Sequence, residues 1–420
     1  MKGNLIKYEW YFNLFLKMHS ETLYNKELFP FIHSHLNCNV ADILMKYSGK
    51  EVKFDLNFAA VQIENRRRAR KKIPYFLSND NFLFPDRISS EQATDERVAR
   101  FHAALIGKEK KVTDLTAGLG IDAMTMALEG NKVVAVEIDP LKAEILQYNA
   151  NTLDLTDFTV INDDCENYLK QIEINDKEIF FIDPARRDEA KNKTYAFSDC
   201  KPDITNFYSH ILNNGGTLIV KASPLLDIEA IKKQFTFINH IYVVGVKGEC
   251  KEVLIELKSD RYDDEITAID LDDKGIKSTF SVKGIRDCKR APIAEISDLN
   301  EGSYLYEPNA SVMKLNAGEF ICEKYPGLKK LSKNTELFVS NILFDDFPGR
   351  IVEIKRNLSS RDLKKLKGKG YSVSVRNYPM KAEQLKRKIG VGESDDMFVY
   401  AFRIGEKEKT MIIEGKRMEV

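Results

Sequence analysis

A chain of 420 residues, 43% apolar and 30% charged, is long enough for roughly two to four domains and too ordinary in composition to be fibrous or disordered. Its 64 Lys+Arg balance 64 Asp+Glu, so no overall field draws it to nucleic acid or a membrane, and any charge argument has to be local. The six cysteines (38, 165, 200, 250, 288 and 322) form no C-x-x-C pair. The opening MKGNLIKYEWYFNLFLKMHS is too interrupted by charge for a signal peptide or a spanning helix. Together these features predict thiols in a reducing cytoplasm, with no metal and no membrane.

Residues 1–88 read as a helical domain. Leu14, Leu16 and Met18 share one apolar stretch, and VADILMKYSG at 40–49 has amphipathic spacing closed by Gly49. FDLNFAAVQIENRRRARKKIPYF carries apolar residues at 58, 61 and 63, then a run of cations, then helix-breaking Pro74. PDRISSEQATDERVARFHAALI reads as one capped helix, with Ser89 or Ser90 as the cap and Ala93, Val98, Phe101 and Leu105 as its buried stripe. His33 and His35, two apart in an apolar stretch, read as helix-surface or core residues rather than metal ligands.

From 111 to about 258, short apolar runs alternate with helical stretches, the rhythm of an open parallel sheet that gathers ligand contacts at its carboxyl edge. Strands are predicted near 112–116, 133–137, 158–162, 179–183 and 217–221, with two more near 241–246 and 252–257 closing as a hairpin around GVKGECKE. Helices are predicted at 121–129, 140–151, 164–170, 203–213 and 227–235. Acidic RYDDEITAIDLDD (261–273) reads as a transition, and 274–346 holds strand-like STFSV and YLYEP, then SVMKLNAGEF. The tail reads β-α-β-α-β: IVEI, SRDLKKLKG, YSVSVRNYP, KAEQLKRKI and DMFVYAFRIG.

VTDLTAGLG (112–120), VVAVEID (133–139) and IFFIDPARR (179–187) give an acid, a Gly-x-Gly turn and a second acid one strand later. This order resembles the S-adenosyl-L-methionine site of class I methyltransferases. Gly118 and Gly120 allow special backbone angles and a close ligand approach. The helix starting at Ile121 aims its amides at a carboxylate. Asp114 is placed to accept from an ammonium group and Glu137, 23 positions later, from ribose hydroxyls. Thr116, Ala117 and Ile138 belong to the same two strand ends and complete the cofactor set. Asp164 is a candidate for the adenine amino group, with Asp163 competing and a plain N-cap role as the alternative. GLGIDA also satisfies G-x-G-x-x-A, so an NAD-linked oxidoreductase is the alternative enzyme. The polar lead-in and seven strands instead of six favour the methyltransferase.

Asp183-Pro184-Ala185-Arg186 stands where many base-modifying methyltransferases carry Asn/Asp-Pro-Pro-aromatic, in which the first residue grips an exocyclic amine and the aromatic stacks on the base. Asp183, Pro184 and Arg186 are therefore the catalytic candidates, with Arg186 in the aromatic's place. Uracil-C5 chemistry needs a cysteine after strand five, where VKASPLLD has none. Lys221, Ser223 and Asp227 face the same sheet end, as pocket-lining or helix-capping residues.

SSEQATDERVARFHAAL, DLTAGLGID, EIDP, IDPARR, YLYEPNASVMK and FPGRIVEI…VRNYPMKAEQLKRKIG together resemble a bacterial family of class I methyltransferases with a C-terminal THUMP-like domain. The resemblance implies an α/β chain: an N-terminal helical domain (1–88), a Rossmann-like class I methyltransferase domain with a seven-stranded sheet (89–260), and two small α+β domains, ferredoxin-like (274–346) and THUMP-like (347–420). It also makes Gln92 and Thr94 cofactor contacts and, at second hand, RNA (tRNA or rRNA) the substrate.

Two basic stretches fit that partner. Arg66, Arg67, Arg68, Arg70, Lys71 and Lys72 form one; 361–388 holds ten Lys/Arg against Asp362 and Glu383. Tyr371, Arg376 and Tyr378 add groups able to stack on bases. A solvated helix face is the plain alternative for each. A non-catalytic RNA-binding protein that retains the cofactor fold is the third functional reading.

Overall fold

A computed structural model of the chain describes residues 25–186, 197–259, 265–283 and 290–419. The predicted apolar stretch at Leu14–Met18 lies outside them. The described residues form two compact units. One holds the chain up to Ala222 with 234–237 and 255–259; the other holds 223–233, 238–254 and the chain from 265.

In the first unit, helices α1 (Leu28–His35), α2 (Val40–Tyr47) and α3 (Leu56–Ala69) close over Leu28, Ile32, Ile43, Phe58 and Ile63. The segment expected as one helix from Ser89 is two: α4 (Pro74–Leu77) precedes a short α5 (Ser89–Gln92), and α6 (Glu96–Ile106) starts afresh. The cap of α6 is Asp95, which accepts from the Arg97 amide. Ser89 and Ser90 are buried, bonded to Asp86 and Asn65. Ala93, Val98 and Phe101 are buried as expected, Leu105 only partly.

The parallel core follows as β1 (Lys111–Asp114), α7 (Ile121–Leu128), β2 (Lys132–Val136), α8 (Pro140–Thr152), β3 (Phe158–Ile161), α9 (Cys165–Gln171), β4 (Ile179–Ile182), the ribbon β5 (Ala185–Arg186) and β6 (Cys200–Lys201), α10 (Tyr208–Asn213) and β7 (Thr217–Ala222). Strand order is β7-β4-β1-β2-β3. The apolar runs KVVAV and IFFI suit strands covered on both faces. Pairing Asp114↔Phe181, Asp114↔Ala135 and Ile182↔Val220 brings the ends of β1, β2, β4 and β7 to one edge. Asp139 caps α8 with Pro140 at its first position.

Largely within the second unit, α11 (Ile228–Gln234) precedes β8 (Ile238–Val246) and β9 (Glu249–Leu257), both strands three residues longer at their start than predicted. They turn at Lys247 and Gly248 with φ of 51° and 80°, as a two-residue hairpin turn requires. The stretch read as a transition is largely a strand: β10 (Glu265–Asp272) pairs parallel with β8 and antiparallel with β11 (Gly275–Lys283). Ile266 to Leu271 are buried without alternation, so no period of two marked the strand. The second sheet has order β13-β14-β12-β15-β18-β17-β16: β12 (Tyr304–Pro308), β13 (Lys329–Ser332), β14 (Thr335–Ser340), β15 (Gly349–Asn357), β16 (Ser372–Arg376), β17 (Met397–Ile404) and β18 (Lys409–Arg417), with helices α12 (Ala310–Lys314), α13 (Gly318–Lys324), α14 (Ser360–Lys365) and α15 (Ala382–Ile389). The tail is the expected β-α-β-α-β plus β18, which pairs antiparallel with both β15 and β17. Among the described residues no helix is long and apolar enough to cross a membrane.

Candidate active site

The chain leaves β1 at Asp114 and turns tightly. Ala117 N donates to Val136 O (2.9 Å) and Gly120 N to Ala117 O (2.7 Å). Gly120 has φ 82°, and a Cβ there would sit 2.0 Å from Leu146 Cδ1, so glycine is needed both for its angle and for packing on α8. Gly118 has φ 56°, yet a Cβ on it would meet nothing nearer than 4.0 Å; that space is cavity.

The cavity, of about 690 Å³, is lined by all the predicted cofactor residues: Gln92, Thr94, Asp114, Thr116, Ala117, Gly118, Gly120, Glu137, Ile138 and Asp164. Asp183 is on its wall too, as are Lys142, Asp163 and Lys201. Pro184 is buried and not part of the lining, and Arg186 pairs through its backbone with Cys200.

Glu137 is buried, and both its oxygens accept from backbone: Oε2 from Gly118 N (2.8 Å), Oε1 from Asp139 N (2.8 Å). It therefore ties the glycine turn to the end of β2. Ile138 is 58% exposed beside it. Asp164 does cap α9, its Oδ1 accepting from Glu166 N and Asn167 N. Asp163 accepts from Asp164 N and Gln171.

Beneath the turn lies a polar network whose sequence positions span 94 to 221. His102 Nδ1 is 2.8 Å from Asp122 Oδ1, with its ring 5.2 Å from that of Phe181. The Thr94 hydroxyl donates to Asp122 and accepts from Lys221 Nζ (2.9 Å). Lys221 also meets Asp183 Oδ2 at 2.8 Å and Asp122 Oδ2 at 3.7 Å. Asp114 is 2% exposed, with Oδ1 accepting from Thr116 N (3.0 Å). Burial pushes its carboxyl up to about 8; Asp122 and Asp183 add to the rise, while the Thr116 amide and Lys221 oppose it. Asp122 is also buried, but Lys221 and then His102 overcome that and hold it well below the usual carboxylate range.

Sequence reading missed His102 and Asp122. Asp122 had a local signal, standing two residues past Gly120 in the first turn of α7. His102 had none, because only the packing of α6 on α7 brings it there. Ser223 and Asp227 hold local roles: Ser223 Oγ accepts from Leu225 N and Asp227 Oδ1 from Ala230 N. Among the described residues no group of His, Cys, Asp and Glu is arranged to hold a metal.

Each basic stretch is in part bonded within the protein. Arg66 is buried, donating to Asp80 O and Phe82 O (both 2.7 Å), and burial lowers it to about 10. Arg67 is bonded to Cys38 O, Arg68 to Glu64 and Glu91, and Lys72 to Ser90 O and Glu91 O. Arg66 thus holds the loop before α5, Arg67 the turn between α1 and α2, and Arg68 and Lys72 α5 itself, while Arg67, Arg68, Arg70 and Lys71 remain exposed. Tyr371, expected to stack, is buried with its hydroxyl on Glu414 (2.5 Å). Arg376 is paired with Glu307 (2.5 Å), and Tyr378 packs on the α15 core. Arg361, Lys364, Arg387 and Lys388 are exposed.

Residues 304–348 match a family described as a ferredoxin-like domain, and 349–417 one described as THUMP domain-like. No curated protein sequence matches the chain. Among solved structures, a "putative methyltransferase" from Porphyromonas gingivalis W83 superposes with a TM-score of 0.79 at 23% identity, covering 94% of this chain and 98% of that one. TrmK of M. capricolum, solved with S-adenosyl-homocysteine, is 14% identical and covers 39% of this chain and 69% of its own, at a TM-score of 0.30. The chain thus carries the class I methyltransferase fold, with a ferredoxin-like and a THUMP-like domain after it.

Proposed function

We propose that this protein is an S-adenosylmethionine-dependent methyltransferase acting on RNA, either tRNA or rRNA, by non-covalent in-line transfer. The observation that carries the reading is the charge of the cavity. Asp114, Asp122, Glu137, Asp163, Asp164 and Asp183 line it against Lys142 and Lys201, and Asp114 is buried with one backbone amide on it. Such a site favours a ligand bearing an ammonium and a sulfonium.

Asp114 accepts from the ammonium, and the start of α7 faces the ligand carboxylate. Each Glu137 oxygen keeps a second lone pair for a ribose hydroxyl, and exposed Ile138 offers an apolar shelf for adenine. The Asp164 oxygen not used for capping takes the adenine amine. When bound, the cofactor supplies a methyl group together with its leaving group, a positively charged sulfur that keeps the electron pair of the broken bond. Asp183 accepts a hydrogen bond from the nucleophile's N–H or O–H and orients its lone pair. The surplus proton leaves to water by way of Asp183.

Calorimetry with S-adenosylhomocysteine, then tritiated-methyl transfer to total cellular RNA with nucleoside mass spectrometry, tests the reading; neither binding nor transfer would overturn it. Within it, Glu137→Ala should weaken S-adenosylhomocysteine binding by about 1.5–3 kcal/mol, the scale of charge-assisted hydrogen bonds. Glu137→Gln, which keeps one acceptor for the Gly118 or Asp139 amide, should lose less. Unchanged affinity in Glu137→Ala would remove the ribose role.

RNA as substrate is supported by the THUMP domain-like match and the exposed cations of α14 and α15. Reversing Lys364, Arg387 and Lys388 together should flatten the slope of log K against log salt for RNA binding by about two to three, at somewhat under one per phosphate contact. Cofactor affinity should not change. An unaltered slope would point away from RNA at this face. Lys386, which is paired with Glu393, should contribute less than its neighbours.

A further inference from the structure

Resting on the cofactor reading above, we propose that Lys221 is a positioning residue for methyl transfer: its ammonium pins one oxygen of Asp183, so that the other is presented to the nucleophile. The pairing Ile182↔Val220 sets Lys221 at the end of β7 directly beside Asp183 at the end of β4. The ammonium lies 2.8 Å from Asp183 Oδ2, and the Lys221 side chain is 13% exposed while that of Asp183 is 46% exposed. An aspartate so open to solvent would sample several rotamers if nothing held it.

The anchor is itself anchored. Lys221 donates to the Thr94 hydroxyl (2.9 Å) and faces Asp122 (3.7 Å). Asp122 in turn is fixed by Thr94 and by His102 (2.8 Å), and His102 packs on Phe181 of β4. The ammonium is thus held from behind by residues of α6, α7 and the segment between α5 and α6, and cannot follow a swinging Asp183. In this ion pair the second carboxylate oxygen of Asp183 can only accept, so the nucleophile has to bring an N–H or O–H. Lys221 does not line the cavity; it acts on the nucleophile through Asp183.

The test uses full-length protein and two cofactor analogues, measured by calorimetry. S-adenosylhomocysteine has no charge at the methyl position, whereas sinefungin carries an amine there. Both share the adenosine and amino-acid ends, so their affinity ratio reads the surroundings of Asp183 and cancels general damage. Lys221→Met, which frees Asp183 from a competing ammonium, should raise the preference for sinefungin about fivefold or more, a shift the loss of one charge-assisted contact readily gives. Asp183→Asn should lower the preference by a similar factor, and Lys221→Met should then add nothing in the Asp183→Asn background. Lys221→Arg should keep the wild-type ratio within about twofold, since it restores the charge-assisted contact to Asp183. If melting curves show Lys221→Met unfolded, Lys221→Gln makes the same comparison with a group that still reaches Thr94.

Wild-type protein that binds neither analogue would remove the cofactor reading and this proposal together. Binding of both, with a ratio that folded Lys221→Met or Lys221→Gln leaves unmoved, would remove the proposal alone and make Lys221 a plain structural ion pair. Once an RNA substrate is in hand, Lys221→Met should lower the transfer rate at saturating cofactor by about tenfold or more, as loss of orientation does, with Lys221→Arg recovering part of it.

Discussion

Asp183→Ala should lower methyl transfer by about 10²–10⁴-fold, the range that a positioned acid–base group supplies, while cofactor affinity stays within a few-fold. The expectation comes from where the side chain stands. Asp183 follows β4, its amide donates to Thr116 Oγ1 (2.8 Å), and its half-exposed carboxylate lines the cavity wall. Asp114, Glu137 and Asp164, the groups assigned to the cofactor, sit at the ends of β1, β2 and β3. Removing Asp183 also takes away a carboxylate 2.8 Å from the Lys221 ammonium, so some stability will be lost. Asp183→Asn, which keeps an acceptor near Lys221, separates the two effects: it should melt closer to wild type and still transfer poorly. A folded Asp183→Ala protein that no longer binds S-adenosylhomocysteine would instead make Asp183 a cofactor ligand.

The parts of this site that the sequence made legible are those whose signals are local. Asp114, Gly118, Gly120 and Glu137 lie at the ends of short apolar runs, and a parallel sheet delivers every such end to one edge. All four line one cavity. In the network of Thr94, His102, Asp122 and Lys221, His102 had no local signature, and the contacts among the four were not legible because they come from four separate segments and meet only through tertiary packing. Charge patterns misled for a related reason. An arginine on a solvated helix face and one turned inward read alike, yet Arg66 is 6% exposed because two loop carbonyls, Asp80 and Phe82, satisfy its guanidinium. Tyr371 and Arg376 had the composition of a stacking surface, but Glu414 and Glu307 hold them within the sheet domain. Strand β10 was hidden by its acidic flanks and by burial on both faces, which erases the alternation a half-buried strand would show.

The charge of the cavity floor leads to a second large effect, on the pH dependence of cofactor binding. With its carboxyl pushed up to about 8 by burial, Asp114 is protonated at neutral pH and has to lose that proton to accept from a ligand ammonium. Affinity for S-adenosylhomocysteine should therefore rise with pH, approaching about tenfold per unit below roughly pH 8, then level off and decline as the ligand's own amine deprotonates. Calorimetry at pH 7 in two buffers of different ionisation enthalpy should register close to one proton released per ligand bound. Asp114→Asn, with no proton to release, should lose most of that rise and bind more weakly at pH 8. Stability supplies an independent check. A carboxyl whose folded value is raised binds its proton more tightly when folded, so its stabilising contribution is complete below about pH 4 and is lost as pH climbs through about 8. Asp122, held low, acts in the opposite direction: its contribution is present above about pH 4 and is lost as the pH falls below that. Between pH 4 and 8, then, the melting temperature of ligand-free wild type should fall relative to Asp114→Asn, and the difference should level off above 8. Parallel melting profiles, together with binding that is flat from pH 6 to 8, would mean that Asp114 is already ionised before any ligand arrives, and the ammonium would have to be recognised by another group.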